Sequence, residues 1–144
     1  FYWEQVAEIE SLLVRYVNTS SSDMDVDKYL RICYELGEEP DPAKMPPDLS
    51  DFPEEVQVAF FVSGFLPDRW DGASGSYLGK DYSILEYLFS LYKVDDPVIT
   101  LYYIKLYDNI VQQDRAERAE KRRKRAEKKS SAGGEKNFTH NVKG

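Results

Sequence analysis

The sequence predicts an all-α fold, a compact bundle of about five helices with a long charged C-terminal helix and a disordered tail. Apolar residues recur at helical spacing in five segments, and Asp, Pro and Gly residues stand where those segments begin and end. The 144 residues, 42% of them hydrophobic and 14% aromatic, also supply enough apolar surface for one core.

The first helix is predicted over residues 2–17 because apolar residues there form one stripe. The stripe consists of Tyr2, Val6, Ile9, Leu13 and Tyr16. The second helix is predicted from about residue 25 to residue 36, with Asp23 or Asp25 as its N-cap residue. Gly37 follows it and supplies the left-handed conformation that commonly ends a helix.

Residues 38–52 contain four prolines and are predicted to form an extended linker on the surface. A third helix follows, with Asp51 as its N-cap, Pro53 as an early helical residue and Glu54 at capping-box spacing. Its apolar residues surround nearly the whole helix, so we expect this element to be the most buried. They are Val56, Val58, Ala59, Phe60, Phe61, Val62, Phe65 and Leu66.

Residues 67–81 are rich in Gly and Ser and are predicted to form a loop. We expect Trp70 and Leu78 to fold back onto the third and fourth helices, and Arg69 to pair with a nearby carboxylate such as Asp81. The alternative is a mobile surface loop in which the tryptophan is half exposed.

A fourth helix is predicted from Tyr82 to about Tyr92. The fifth begins with Asp96 as its cap and Pro97 at its first position. Its core-facing stripe ends near Val111, but helix-forming residues continue, so we expect it to project into solvent to about residue 129.

The charge is divided unevenly along the chain, whose formal net charge is −7. Residues 1–113 carry 8 Lys and Arg against 21 Asp and Glu, whereas residues 114–144 carry 11 against 5. We therefore divide the chain into an acidic helical domain (1–113), a basic solvent-exposed helical extension (114–129) and a disordered tail (130–144).

The basic extension is the part of the chain suited to nucleic acid or to an acidic partner, because the acidic domain repels polyanions. The alternative is a solvated extension that aids solubility. The candidate contact residues are Arg115, Arg118, Lys121, Arg122, Arg123, Lys124, Arg125, Lys128 and Lys129.

Enzymatic and cofactor chemistry has no basis in the sequence. One Cys and one His argue against a disulfide scaffold, a cysteine-based metal site and a His-dependent triad, and Cys33 is interpreted as a small buried hydrophobe. Gly75 to Lys80 resembles a phosphate-binding loop, but its glycines are one residue too close and Asp81 replaces the magnesium-binding Ser or Thr. No apolar run reaches the ~18–20 residues of a transmembrane helix. We predict a non-enzymatic protein without catalytic residues, cofactor, metal or membrane contact.

Tyrosine is abundant, with 11 residues whose spacings place them on different helix faces. They form either an amphipathic shell with hydroxyls in water or a partner-binding surface, where exposed tyrosine is enriched. The candidate partner-binding residues are Trp70, Tyr77, Tyr102, Tyr103 and Tyr107.

A series of short motifs lies between residues 45 and 110. In order they are Met45-Pro46-Pro47-Asp48, an apolar helix, Arg69-Trp70-Asp71-Gly72, a Gly-rich loop to Gly79, Lys80-Asp81-Tyr82-Ser83-Ile84 and Tyr103-Ile104-Lys105-Leu106-Tyr107. This series resembles the pattern of small tail assembly chaperones of long-tailed bacteriophages. The loop is longer here than in that family, and the first two helices have no clear counterpart in its pattern.

The resemblance implies a non-enzymatic phage assembly factor in the host cytoplasm that binds and solubilises a helical client such as a tape-measure protein. Such a client exposes apolar stripes until the tail tube closes around it, so its chaperone needs an apolar or aromatic groove and a solubilising charge. Self-association to a homo-oligomer stays open. So do two alternatives: a nucleic-acid-binding accessory protein for packaging or transcription that uses the basic C-terminal segment, and a minor structural protein of the virion.

Overall fold

The computed structural model describes the backbone of residues 2–138 and the side chains of residues 4–132. Within these residues the chain forms five α-helices and one two-stranded antiparallel sheet, so the predicted helical fold is confirmed. The helices are α1 (Tyr2–Ser21), α2 (Val26–Leu36), α3 (Glu54–Ser63), α4 (Leu85–Leu91) and α5 (Pro97–Phe138), and the strands are β1 (Asp68–Trp70) and β2 (Tyr77–Lys80).

The first two helices follow the predicted pattern, although α1 continues further, to Ser21. The Thr19 hydroxyl donates to the carbonyl oxygen of Arg15 one turn earlier (2.8 Å), so this polar residue bonds along the helix instead of ending it. In α2, the Asp25 carboxylate accepts a hydrogen bond from the backbone N–H of Lys28 (2.8 Å). Gly37 adopts φ 68° past the helix end, as predicted.

The proline-rich linker is fastened to α1 by Arg15. Its guanidinium donates to the carbonyl oxygens of Met45 (2.7 Å) and Pro42 (3.2 Å). These bonds satisfy linker carbonyls that cannot join a helix, because the prolines exclude one.

The capping box forms one turn earlier than predicted. It closes the 3-10 turn Leu49–Asp51, where the backbone N–H of Asp48 donates to the Asp51 carboxylate (2.8 Å). The helix α3 then begins at Glu54, directly after Pro53. The predicted role of Asp51 as the N-cap of α3 is therefore wrong, because its side chain serves the preceding turn.

The core lies where α1, α3 and α5 meet. Leu13 on α1, Val62 on α3 and Ile104 on α5 are fully buried there. On the outer side of α3, however, Phe61 and Phe65 are 52% and 46% exposed. Four of the ten α3 residues are nevertheless buried, the largest share of any described helix, so the prediction that α3 is the most buried element is confirmed although no described element covers its outer side completely.

The expectation of a fold without a sheet is wrong for the Gly-rich segment, where β1 and β2 form an antiparallel hairpin. Asp68 pairs with Lys80 and Trp70 pairs with Tyr77, with an irregularity between the two pairs. Gly75 permits the turn with φ 71°. The strands have three and four residues, too few to show a recognisable alternation of apolar and polar side chains.

The helix α5 begins as predicted, with the Asp96 carboxylate accepting a hydrogen bond from the backbone N–H of Ile99 (3.1 Å). It continues to Phe138, past the predicted end near residue 129. Up to residue 129 its Ala, Glu, Lys and Arg residues favour the helix through propensity and ion pairs one turn apart, and the hydroxyls of Ser130 and Ser131 then donate to carbonyl oxygens of the preceding turn. Residues 139–144 of the predicted disordered tail lie outside the described residues.

Candidate partner-binding surfaces

A buried carboxylate on α5 anchors the hairpin to the helices. Asp108 is 4% exposed, and its Oδ2 accepts hydrogen bonds from the Tyr82 hydroxyl (2.6 Å) and the Lys80 backbone N–H (3.1 Å). Burial, with the hydrogen bond to Asp108, raises the pKa of Tyr82 above its ordinary value. Tyr82 was expected to begin α4; because it is held against α5, α4 begins only at Leu85.

Asp108 is not among the residues predicted from the sequence, because no carboxylate of the chain stands isolated in an apolar run where burial would be expected. The available signal was its place on α5, since Ile104 and Ile110 on the same helix are both buried. Asp108 lies four residues, about one helical turn, after Ile104 and so shares its buried face, where a carboxylate needs hydrogen-bond donors.

The strand β2 approaches α5 most closely at Gly79. A Cβ atom there would lie 2.5 Å from Nε2 of Gln112 and 2.9 Å from Oδ2 of Asp108, and the residue adopts φ 94°. Glycine is therefore required at this position. Among the described residues, Oδ1 of Asp108 has no hydrogen-bond partner, so one lone acceptor is buried under the hairpin.

A second polar contact ties the two strands together. Lys80 Nζ lies 3.0 Å from Oδ1 of Asp68, and the Tyr77 hydroxyl donates to the same oxygen (3.0 Å). Burial acts to raise the pKa of Asp68, but the hydrogen bonds from Lys80 and Tyr77 and the lysine charge outweigh it, so that pKa lies below its ordinary value. Within the described side chains, the predicted ion pair between Arg69 and Asp81 does not form; Lys80 and Asp68 supply the pair instead.

Arg115 on α5 covers the aromatic side chains of the hairpin. Its guanidinium carbon lies 4.1 Å from the Tyr77 ring centroid and 5.1 Å from that of Trp70, and the two rings lie 5.0 Å apart. Trp70 nevertheless remains 54% exposed, and Leu78 is also exposed. The prediction that these two fold back onto α3 and α4 is therefore wrong, because Trp70 packs on the α5 guanidinium through cation–π contact.

We call Trp70 and Tyr77 the hairpin aromatics. The structure brings these two partner-binding candidates together with Arg115, a candidate from the basic set. Of the three tyrosines of α5, the half-buried Tyr107 lines a cavity with Tyr77 and Arg115, whereas Tyr103, which is buried in the core, and Tyr102, which is exposed, do not line it. The five predicted partner-binding residues are therefore not one site.

Tyr107 illustrates the burial of these tyrosines. Its ring centroid lies 4.8 Å from that of Phe60 in an edge-to-face arrangement. Burial raises the pKa of its hydroxyl. Tyr107 is thus part of the packing between α3 and α5.

A different exposed aromatic group was not singled out by the sequence. Phe61, Phe65 and Tyr92, which we call the aromatic cluster, have ring centroids 5.0 to 5.4 Å apart. All three side chains are exposed. The signal that could have found the cluster was the apolar circumference of α3, since a helix apolar on every side leaves one side for a partner when the body covers only the other.

The aromatic cluster borders a groove of about 380 Å³ between the start of α3 and the turn from α4 to α5. Val58, Phe61 and Tyr92 contribute apolar lining. Its charged lining residues are Glu54, Glu55, Asp95, Asp96 and Lys93. Four carboxylates against one ammonium make this acidic groove, as we name it, attractive to cations.

The second half of α5 carries the predicted basic residues on more than one face. We define the basic stripe as the face formed at spacings of three and four residues by Arg118, Lys121, Arg122, Arg125, Lys128 and Lys129. Four of its members line a cleft with the end of α1. Arg118 lies 2.9 Å from the buried Asp114, which also accepts a hydrogen bond from the Ser21 hydroxyl (2.8 Å).

Arg123 belongs to a different face of the same helix. Its guanidinium pairs with Glu120 (2.6 Å) and Glu127 (2.8 Å), one turn away in each direction. Its charge is therefore balanced within the helix. Arg115 is engaged with the hairpin aromatics, and Lys124 is exposed off the stripe.

Comparison with protein-family models, with curated proteins and with solved structures finds no match to this chain. Among the described residues, no three His, Cys, Asp or Glu side chains are placed to hold a metal ion. In the same part of the chain, no helix has the length and apolar character needed to cross a membrane.

Proposed function

We propose that the protein is a non-enzymatic phage assembly factor, a tail assembly chaperone that binds and solubilises a helical client of the tape-measure type. One observation carries the proposal: an exposed aromatic cluster lies directly beside an acidic groove on a strongly acidic domain. The motif series from residue 45 to residue 110 resembles that of small tail assembly chaperones, whose function needs such a surface.

The aromatic cluster supplies the apolar part of such a surface. A client helix presents apolar side chains at i, i+3, i+4 and i+7, and it docks by laying that stripe against an apolar groove. Phe61, Phe65 and Tyr92 are large, rigid and already in mutual contact, so little conformational entropy is lost when they are covered.

The charge around the cluster supplies solubility and orientation. The carboxylates of the acidic groove attract basic residues that flank an apolar stripe, and the acidic domain as a whole keeps the complex from aggregating. A client segment with leucines on one face and lysines beside them fits both features.

The test uses a synthetic helical peptide of that composition as the probe, labelled for fluorescence anisotropy. Phe61→Ala/Phe65→Ala removes two exposed rings of the aromatic cluster, and we expect the dissociation constant to rise about 30-fold, as for loss of interface anchors. Tyr87→Ala is the matched control, because Tyr87 is an exposed aromatic residue outside the cluster. Equal affinity of both variants and the unaltered protein for the peptide would contradict the proposal.

A second candidate function is binding of single-stranded nucleic acid. It is favoured by the hairpin aromatics, which lie beneath Arg115 at the point where the basic stripe begins. Aromatic rings for stacking next to a row of cations are the usual elements of such a site. Its test is the salt dependence of binding to a labelled oligonucleotide, which Arg122→Gln/Arg125→Gln would reduce.

A further inference from the structure

We propose that the protein associates head to tail, with the basic stripe of one copy in the acidic groove of a second copy. This association uses the groove of the proposed client site but requires no client. The two surfaces are complementary in charge and lie on one chain.

Within one molecule, most of the basic stripe is exposed. The side chains of residues 119–132 are all exposed, so the described part of the body does not cover this length of α5. Among the described ion pairs, Arg118 is the stripe member that has an acidic partner, Asp114. Although Lys121, Arg122 and Arg125 border the cleft at the end of α1, a row of cations without acidic partners is poorly stabilised by itself, and an acidic surface would stabilise it.

The acidic groove has a lining suited to the arginines of the basic stripe. The acidic groove combines four carboxylates with the rings of Phe61 and Tyr92. Arginine suits such a lining because its guanidinium pairs with carboxylates and also stacks on aromatic faces. Arg122 and Arg125 lie on one face of α5, so both can enter the same groove.

The basic stripe cannot reach the acidic groove of its own molecule. Asp95 and Asp96 lie at the start of α5, whereas the stripe begins at Arg118 on the same continuous helix. At 1.5 Å per residue, roughly 33 Å of helix separates the two surfaces. The groove of a second copy is therefore the one the stripe can reach, and such a heterologous contact repeats into a chain or a ring.

A second copy of the chain suits the basic stripe better than nucleic acid does. Residues 1–113 carry 21 acidic against 8 basic side chains, so the body next to the stripe repels a polyanion and attracts the stripe of another copy. The observations therefore favour a second copy of the chain.

The experiment measures the sedimentation of the full chain at about 50 mM and about 500 mM salt. We expect concentration-dependent association at low salt that weakens about tenfold or more at high salt. Two charge-reversal variants, Arg122→Glu/Arg125→Glu and Glu54→Lys/Glu55→Lys, are each expected to sediment as monomers. Their equimolar mixture is expected to associate again, because each reversed surface then meets its complement.

The control is Lys44→Glu/Lys124→Glu, which changes the net charge as the stripe variant does but lies off the stripe. It should associate like the unaltered chain. A monomeric unaltered chain at low salt, or a mixture of the two reversed variants that stays monomeric, would overturn the proposal. So would binding of a labelled DNA duplex through Arg122 and Arg125 without self-association, and none of these outcomes depends on the peptide assay.

Discussion

Two groups of aromatic residues reach the surface of this protein, and they differ in how they are held. The hairpin aromatics, Trp70 and Tyr77, are held from α5 by Arg115, and a hydrogen bond joins Tyr77 to Asp68. The aromatic cluster on α3 and α4 makes its ring contacts among Phe61, Phe65 and Tyr92. Trp70 is as exposed as the rings of the aromatic cluster, but it and the partly buried Tyr77 are tied into the fold by charged and polar contacts.

The difference indicates that exposure alone does not identify a binding surface. An exposed ring that packs against a guanidinium stabilises the fold. A partner that covers such a ring must compete with the guanidinium for it. Rings that touch one another beside an open groove lose nothing when a partner covers them. We therefore expect mutations near the hairpin to affect stability and mutations in the aromatic cluster to affect binding.

The largest effect on stability is expected for Asp108→Ala. The change leaves the Tyr82 hydroxyl and the Lys80 N–H buried without their acceptor, which costs about 3 kcal/mol of unfolding free energy. Urea unfolding measures it. Asp95→Ala, an exposed carboxylate of the acidic groove, is the control and should change stability by less than about 0.5 kcal/mol.

The opposite outcome for Asp108→Ala would also be informative. Oδ1 of Asp108 has no partner among the described residues, so burying this carboxylate carries a desolvation cost. If the alanine variant were as stable as the unaltered chain, that cost would equal the value of the two hydrogen bonds. The hairpin would then be held mainly by Arg115 and the close approach at Gly79.

The same residue marks the limit of what the sequence predicts. The caps of α2 and α5 were predictable because each lies within a few residues of the helix that it serves, at Asp25, Gly37 and Asp96. The bonds of Asp108 join residues 26 and 28 positions apart, and no local pattern encodes such a distance. Local conformation could therefore be predicted from the sequence, whereas pairing between distant residues could not.

The aromatic cluster was missed for a related reason. The composition of α3 shows that it is apolar on all sides, but not which side the rest of the chain covers. That depends on the position of α4, a helix of only seven residues. The hairpin was missed because strands of three and four residues carry no readable periodicity.

The second prediction tests the hairpin side of the comparison with Trp70→Ala. Because the ring is half exposed and packs on Arg115 and Tyr77, we expect a loss of about 1.5 kcal/mol, less than for a fully buried aromatic residue. Binding of the helical peptide probe should stay within twofold. A stable variant that no longer binds the peptide would reverse the roles of the two aromatic groups.

The third prediction concerns high pH. Burial raises the pKa of Tyr82 in the folded chain above the ordinary value of 10.0, so its stabilising contribution is complete below about pH 10 and is lost as pH rises through the folded pKa. Since Tyr82 is half-buried, screening by solvent makes the shift smaller, so the decline above about pH 10 stays below the ~1.4 kcal/mol per pH unit of a fully linked group.

Urea unfolding between pH 8 and about pH 11 measures that slope. Tyr82→Phe removes the ionising hydroxyl and should make the decline in stability with pH shallower. Tyr87→Phe, at an exposed site outside both aromatic groups, is the matched control and should leave the decline unchanged. Identical slopes for Tyr82→Phe and the control would mean that burial and the hydrogen bond to Asp108 do not hold the tyrosine neutral.

The smallest effect is expected for Arg115→Lys, which sharpens the comparison most directly. Lysine keeps the positive charge but lacks the planar guanidinium that lies over Tyr77 and Trp70, so we expect a loss of about 0.5 kcal/mol. The urea midpoint and the tryptophan emission maximum measure it; because the chain has two tryptophans, the emission is recorded in a Trp3→Phe background, where it should shift as Trp70 becomes more hydrated. Arg125→Lys, on the exposed basic stripe, should change neither quantity. If Arg115→Lys also changed neither, the guanidinium would not tie the hairpin aromatics to α5, and the distinction between the two groups would rest on the hydrogen bond from Tyr77 to Asp68.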